Sequence, residues 1–165
     1  MTEHEFSAVR ASTVAAYVAE QVAAGLGEVD LVRQRALEQM DDLLPDGLQT
    51  PGMLLFVAEL QTGEAVGHVW LGLERRVSPP GTAWLYGIEV VPHARNHGYG
   101  RALLAAAEDS ARSHGATAMG LNVFAANAVA RHIYESAGYL VTAQQMRKPL
   151  GAALVYAELS PVVDT

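Results

Sequence analysis

Along the chain the apolar positions first repeat with a helical period, then with a strand period, and then alternate between the two. Phe6, Val9, Thr13, Tyr17 and Val18 recur at roughly helical spacing. Thr2 stands three residues before Glu5, the spacing of a capping box. Together they predict a helix over 3–24, ended by Gly25 or Gly27. Asp30 is placed to cap a second helix over 31–44, with Leu31, Leu37, Met40 and Leu44 on its apolar side. Pro45-Asp46-Gly47 stops it. The period then changes. Residues 53–60 form an apolar run, 61–64 a turn, and 65–75 a second strand with Val66, His68, Trp70 and Gly72 on alternate positions. A hairpin this short makes the two strands antiparallel. After the loop Ser78-Pro79-Pro80-Gly81 comes a third, central strand, 82–91. A helix over 99–114 follows, with Tyr99, Leu103, Ala107 and Ala111 on its buried face. Arg101, Glu108, Asp109 and Arg112 make its wet face, with a Glu108–Arg112 pair one turn apart. Gly115 closes it. Residues 118–124 read as a strand apolar on both faces. A strand–helix–strand crossover implies parallel, right-handed pairing of 82–91 with 118–124. Asn127 opens a last helix whose Ala130, Ile133, Tyr134 and Ala137 share a face, closed by Gly138. Residues 139–150 are expected to form one or two strands, and 152–159 another.

At 165 residues the chain fits one domain, 1–165, able to bury a sizeable core. It has no cysteine, which excludes disulfides, cysteine–zinc sites and a cysteine nucleophile. No apolar run approaches the ~20 residues of a membrane span. The start, MTEHEF, is acidic and polar, unlike a secretory signal, so the expectation is a cytoplasmic protein without a membrane partner. The net charge is −7, and no basic stripe is present, which argues against nucleic acid. The acidity suits solubility, and it also suits attraction of a cationic amine. The six histidines show no H-x-x-x-H pair on a helix, so no metal is expected.

The chain is organised around residues 84–114, where a strand passes through Arg95-Asn96-His97-Gly98-Tyr99-Gly100 into a helix. The first N–H groups of a helix have no internal partner, and the dipole there is positive. Two glycines remove side chains that would block approach, so the stretch is a cradle for an anion, most often phosphate. It lacks the third glycine and following acid of a dinucleotide fold, and the Gly-Lys-Ser/Thr of a P-loop. Arg-x-x-Gly-x-Gly after a strand ending Val-Val-Pro resembles the pyrophosphate loop of the GNAT superfamily of N-acetyltransferases, which bind acetyl-coenzyme A. Residues 127–139, from Asn127 through Ala130 and Tyr134 to Gly138 and Tyr139, resemble that superfamily's second signature. The two stand in the order the family requires, and the resemblance covers about residues 53–150.

The resemblance implies an α/β domain of the GNAT type. Its central sheet is mixed and mostly antiparallel, with one splayed parallel pair and helices on both faces. GNAT domains usually begin with a strand, and the helix starting at Glu3 leaves no room for it. A sheet edge near residues 65–75 is then expected to be left open or to be covered by another segment or chain, and residues 154–159 are a candidate for pairing across a homodimer.

Acetyl transfer to an amine needs a base for the ammonium, a donor for the thioester oxygen and an acid for the leaving thiolate. The resemblance implies that the backbone of Arg95, Asn96, His97, Gly98, Tyr99 and Gly100 holds the coenzyme A pyrophosphate, with Arg101 beside it. Main-chain contacts from Glu89, Val90 and Val91 would hold the pantetheine, with the Val90 N–H as oxyanion donor. Asn127 and Ala130 belong to the same binding set. Gly87 stands either at the family's bulge in this strand or simply under a bulky neighbour. Tyr134 is the candidate general acid, because a phenol of pKa ~10 keeps its proton at neutral pH. Glu89 is the candidate base: a carboxylate in an apolar strand must be solvated or paired. His68, His93 and His97 are the other candidate bases. The expected reaction is direct transfer from acetyl-coenzyme A to the primary amine of a small molecule or peptide. Two alternatives are a protein N-terminal acetyltransferase and an acyl-coenzyme A binding or sensor module with little catalysis.

Overall fold

The computed structural model describes residues 1–73 and 78–148. Helix α1 spans Glu3–Ala23, and its capping box is formed: the Thr2 N–H donates to Glu5 Oε2 at 2.6 Å and the Glu5 N–H donates to Thr2 Oγ1 at 3.3 Å. Gly25, at φ +67°, takes the left-handed turn that ends the helix. No strand precedes α1, as expected. Helix α2 spans Val29–Leu43 and differs from expectation in two ways. Glu28 occupies the cap position, and Asp30 lies in the first turn, where a carboxylate meets the same positive helix end. The buried stripe is Val32, Ala36, Met40 and Leu44, while Leu31 and Leu37 are exposed. Two stripes of similar spacing compete on this helix, and the one carrying the small Ala36 packs inward.

The sheet runs β1 (Met53–Glu59), β2 (Ala65–Gly72), β3 (Thr82–Val90) and β4 (Ala118–Leu121), in that spatial order. The first three are antiparallel, and β4 lies parallel to β3. Strand β2 is therefore interior, buried on both faces, and the edge at 65–75 is not left open but is covered by another segment, β1. Two consecutive hairpins put β1 on one side of it and β3 on the other. Helices α1 and α2 cover one face, packing Val14, Val18, Val32, Met40 and Leu44 around Trp70. On the other face lie α3 (Tyr99–Ser113) and α4 (Ala128–Ser136), where Leu103, Leu104, Ala107 and Tyr134 meet Val69, Leu71 and Leu85. Helix α3 buries Leu103, Leu104, Ala107 and Ala111, but Tyr99 only in part. Its Arg112 pairs with Asp109 rather than Glu108. Glu108 lies instead beside Tyr139, whose phenol is pushed well up by burial and by that carboxylate.

Strand β4 ends at Leu121, short of the expected 124, and residues 139–148 form no strand. An apolar run becomes a strand only where a partner accepts its ladder, and none does so among the described residues. The strand expected at 152–159, and with it the dimer pairing at 154–159, lies outside the described residues. No helix among the described residues is long and apolar enough to cross a membrane.

The feature that shapes the site is in β3. Its register with β2 passes from Trp70↔Gly87 to Leu71↔Leu85, leaving Tyr86 as an extra residue. A Cβ added at Gly87 would meet nothing within 4 Å, so the glycine marks the bulge and not a crowded spot. Pairing with β4 stops at Leu85↔Leu121, while β3 continues to Val90. Beyond Leu85 the two parallel strands part and a gap opens between them.

Candidate active site

The end of β3, the head of α3 and helix α4 meet at this gap. A Cβ added at Gly100 would come 3.2 Å from Ile133 Cδ1 of α4 and 4.0 Å from Val90 Cγ2 of β3. A side chain there would ask the Ile133 tip to give by a few tenths of an ångström, so the three elements approach closely at this glycine. Gly98 serves differently: its surroundings are open, but it caps α3 at φ +83°, a left-handed conformation costly for other residues. Asn96 takes φ +66°, which asparagine tolerates.

This path leaves donors without acceptors. The N–H groups of Asn96, His97, Gly98, Tyr99 and Gly100 bond to no acceptor among the described residues. The Arg101 N–H is used, bonding to the Gly98 carbonyl at 3.1 Å. The first turn of α3 carries Arg101 and no acidic residue, so nothing offsets the positive end of the helix. Arg95 folds back, its Nε donating to the Val90 carbonyl at 3.0 Å. His97 sets its Nδ1 3.3 Å from the Ala94 carbonyl and stacks on Tyr99, with centroids 6.0 Å apart.

Of the three main-chain positions expected to line the gap, one does. In an antiparallel ladder successive residues turn their N–H and C=O to opposite sides. The Val91 N–H bonds to the Val66 carbonyl at 3.0 Å and its carbonyl accepts from Ala94, so Val91 is engaged within the protein. The Glu89 carbonyl lies against Gly67, where a Cβ would come within 2.3 Å of it, so Glu89 also turns its main chain toward β2. Val90, between them, directs its N–H into the gap. By the same alternation Ile88 does too, a position the sequence reading did not single out.

Glu89 points its side chain to the α1 face. Its Oε2 stands 3.9 Å from His68 Nε2, and that nitrogen lies 3.4 Å from Thr13 Oγ1 of α1. The Glu89 side chain is 29% exposed, so it is neither isolated in the core nor fully solvated. His68 is 7% exposed. Burial lowers its pKa, with Glu89 opposing, so the imidazole is neutral at neutral pH. His93 is remote from this cluster in bonding, paired with Glu64 at 2.9 Å on the surface. Among the described residues no three acidic or histidine side chains gather as a metal would need.

Tyr134 is 9% exposed and sits on the inner face of α4, its ring centroid 5.7 Å from that of Tyr139. Its hydroxyl has no hydrogen-bond partner among the described residues. Burial, and then the charge of Glu20, raise its pKa, so it holds its proton across the neutral range. Asn127 caps α4, its Oδ1 accepting the Ala130 N–H at 3.1 Å. The Ala130 N–H is thereby occupied, and its half-buried side chain packs into the core around Tyr134. The Asn127 Nδ2 donates to Glu20 Oε1 of α1 at 2.9 Å.

Helix α1 thus reaches the site through Thr13, Tyr17 and Glu20, which the sequence reading did not assign to it. Their signal is the i, i+4, i+7 spacing, which places all three on one helix face.

Compared with known proteins, residues 26–139 match the model of the acetyltransferase (GNAT) family, beginning between α1 and α2 rather than at β1. Over 150 residues the chain is 33% identical to the uncharacterised N-acetyltransferase YycN of Bacillus subtilis, covering 91% of this chain and 96% of that one. It is 27% identical to a second such protein of the same organism, YdgE, covering 91% and 95%. The crystal structure of YycN superposes with a TM-score of 0.85 over 91% of this chain and 95% of its own.

Proposed function

We propose, on the premise that the chain belongs to the GNAT family of acetyltransferases, that it transfers an acetyl group from acetyl-coenzyme A directly to a primary amine. The enzyme class, an acyltransferase, follows from the family; the cofactor and acceptor are the proposal. The observation that carries it is the run of five unbonded N–H groups, Asn96 to Gly100, at the head of α3 beside the gap between β3 and β4. Such a run suits a diphosphate, whose oxygens accept several donors at once. The gap beyond Leu85 suits a long narrow chain.

Acetyl-coenzyme A supplies a thioester whose carbonyl carbon the amine attacks. The N–H groups of residues 96–100 and the uncompensated end of α3 hold the diphosphate, with Arg101 at the same turn. The Val90 N–H donates to the thioester oxygen as negative charge gathers there. An alkylamine of pKa ~10.4 arrives protonated at neutral pH, so attack requires that a proton leave first. Glu89, with neutral His68 behind it, takes that proton through water. Tyr134 gives its proton to the departing sulfur. The net charge of −7 favours approach of a cationic acceptor.

The test is thiol release from acetyl-coenzyme A across a panel of alkylamines, polyamines, aminoglycosides and peptides with free N-termini. Turnover with small amines is the expected result. Turnover with peptides alone would move the reading to N-terminal acetylation. Binding of acetyl-coenzyme A without turnover of any amine would leave a binding module.

A further inference from the structure

Helix α1 and helix α4 are far apart in sequence, and they are joined at the site by one side-chain amide. Asn127 uses both ends of it: Oδ1 caps α4 through the Ala130 N–H, and Nδ2 donates to Glu20 Oε1, 107 residues earlier in the chain. One turn before Glu20, the Tyr17 ring meets Phe124 edge-on, with centroids 6.2 Å apart. Both contacts fall on the connection that leaves β4 where β3 and β4 part. They fix the far wall of the gap to α1, and no ladder hydrogen bond does so beyond Leu121.

We propose that Glu20 is a positioning residue for acetyl transfer: by holding Asn127 it sets the head of α4, and with it the place of the Tyr134 hydroxyl in the gap. Tyr134 follows Asn127 by seven residues, two turns or ~10 Å along the same short helix. A tilt at the cap is carried rigidly to the tyrosine. The carboxylate is the right partner for this task. An amide N–H in a half-buried place needs an acceptor, and an ionised one makes the stronger bond. It also orients the amide uniquely, since Oδ1 must accept from Ala130 and Nδ2 must donate. Without Glu20 the amide is free to turn into the gap and the cap loosens. After burial, the same carboxylate adds to the rise in the Tyr134 pKa, so the placement and the titration of the phenol both respond to Glu20. The inference rests on the reading of Tyr134 as the acid of acetyl transfer.

The experiment compares Glu20→Ala, which removes the acceptor, with Glu20→Gln, which keeps an acceptor oxygen and removes the charge. Measured well below the melting temperature, kcat of Glu20→Ala is expected to fall roughly 10- to 100-fold, the scale of a catalytic group displaced by about 1 Å. Glu20→Gln is expected to retain most of kcat, and KM for the amine is expected to change less than kcat in both. A second readout needs no turnover. Tyr134 ionisation is followed by ultraviolet titration, as the difference between each protein and the same protein carrying Tyr134→Phe. Tyr134 is expected to ionise at lower pH in both Glu20 variants than in the parent. The inference is overturned if Glu20→Ala lowers only the melting temperature. It is overturned equally if Glu20→Gln is as slow as Glu20→Ala, which would mean a direct charge role. If the parent turns over no amine, the acetyl-transfer reading fails on its own. An unshifted Tyr134 titration in both variants would then reject the role of Glu20 independently.

Discussion

Replacing Tyr134 by phenylalanine separates chemistry from packing at this site. The ring lies on the inner face of α4 against Tyr139, and phenylalanine keeps that contact. The hydroxyl has no hydrogen-bond partner among the described residues, so its removal breaks no internal bond and strands no partner. The stability change should stay within about 1 kcal/mol, since no internal hydrogen bond is lost. That amounts to a melting shift of no more than ~4 °C for a chain of this size. The catalytic change should be far larger. A positioned general acid contributes roughly 10²- to 10⁴-fold, equivalent to ~2.7 to ~5.4 kcal/mol of barrier. Because the proton moves only as the thiolate departs, the loss belongs to kcat, while acetyl-coenzyme A affinity should be nearly unchanged. The raised pKa of Tyr134 adds a check on pH: burial and Glu20 both favour the phenol, so no alkaline loss of rate from this group should begin until the pH exceeds the ordinary phenol value of ~10. The assay measures kcat, acetyl-coenzyme A affinity by calorimetry, and melting temperature on one preparation, under conditions where chemistry limits the rate. Near-parental kcat in a folded variant would refute the assignment and return Tyr134 to packing alone.

Three further outcomes follow from the same geometry. Gly98→Asp and Gly98→Asn have similar size and both accept a left-handed φ, so their difference isolates charge; Asp should bind acetyl-coenzyme A at least about 10-fold more weakly than Asn, and equal affinities by calorimetry would detach the loop from the diphosphate. Glu89→Gln should lower kcat roughly 10²- to 10⁴-fold, whereas near-parental kcat in a folded variant would mean that another group takes the amine proton. His68 has its folded pKa lowered by burial, so below ~6.5 the unfolded chain takes a proton that the folded chain refuses, and stability is lost as the pH falls from there toward the folded value. Urea midpoints between pH 8 and pH 5 should therefore decline for the parent and flatten for His68→Gln, and equal slopes would show that the histidine is not the source.

What could be read from the chain and what could not divide by distance in sequence. The free donors of 96–100 were legible because the conformation is local, with glycines at 98 and 100 and then a helix start, whereas the Arg95 N–H, expected among them, bonds to the Pro92 carbonyl at 3.4 Å. The cap at Asn127 and the inner face carrying Tyr134 were legible for the same reason. Glu20 was not, because its partner lies 107 residues away and a glutamate on a helix face looks the same whether it meets water or an amide. The stripe of α2 was misplaced because Leu31 and Leu37 outweigh Ala36 on hydrophobicity, while close packing against α1 favours the small residue. Tyr139 to Met146 is apolar enough for a strand, yet a strand is a pairing and not a property of one segment.

The main-chain donors of β3 show the limit most sharply. Glu89, Val90 and Val91 are adjacent and all lie at the splayed end, so a motif match names all three. Which of them faces the gap depends on parity, and parity is set by the extra residue at Tyr86 in the pairing with β2. A strand has period two, so a shift of one position exchanges the two edges completely. With the bulge as it stands, the Val91 N–H goes to Val66 and the Val90 N–H is left facing the gap. Moved by one residue, Val91 would face the gap, while the Glu89 carboxylate would turn from His68 toward the face of α3. The bulge at Tyr86, beside Gly87, therefore sets the Val90 N–H and the Glu89 carboxylate in register on one strand, turning one toward the gap and the other toward α1.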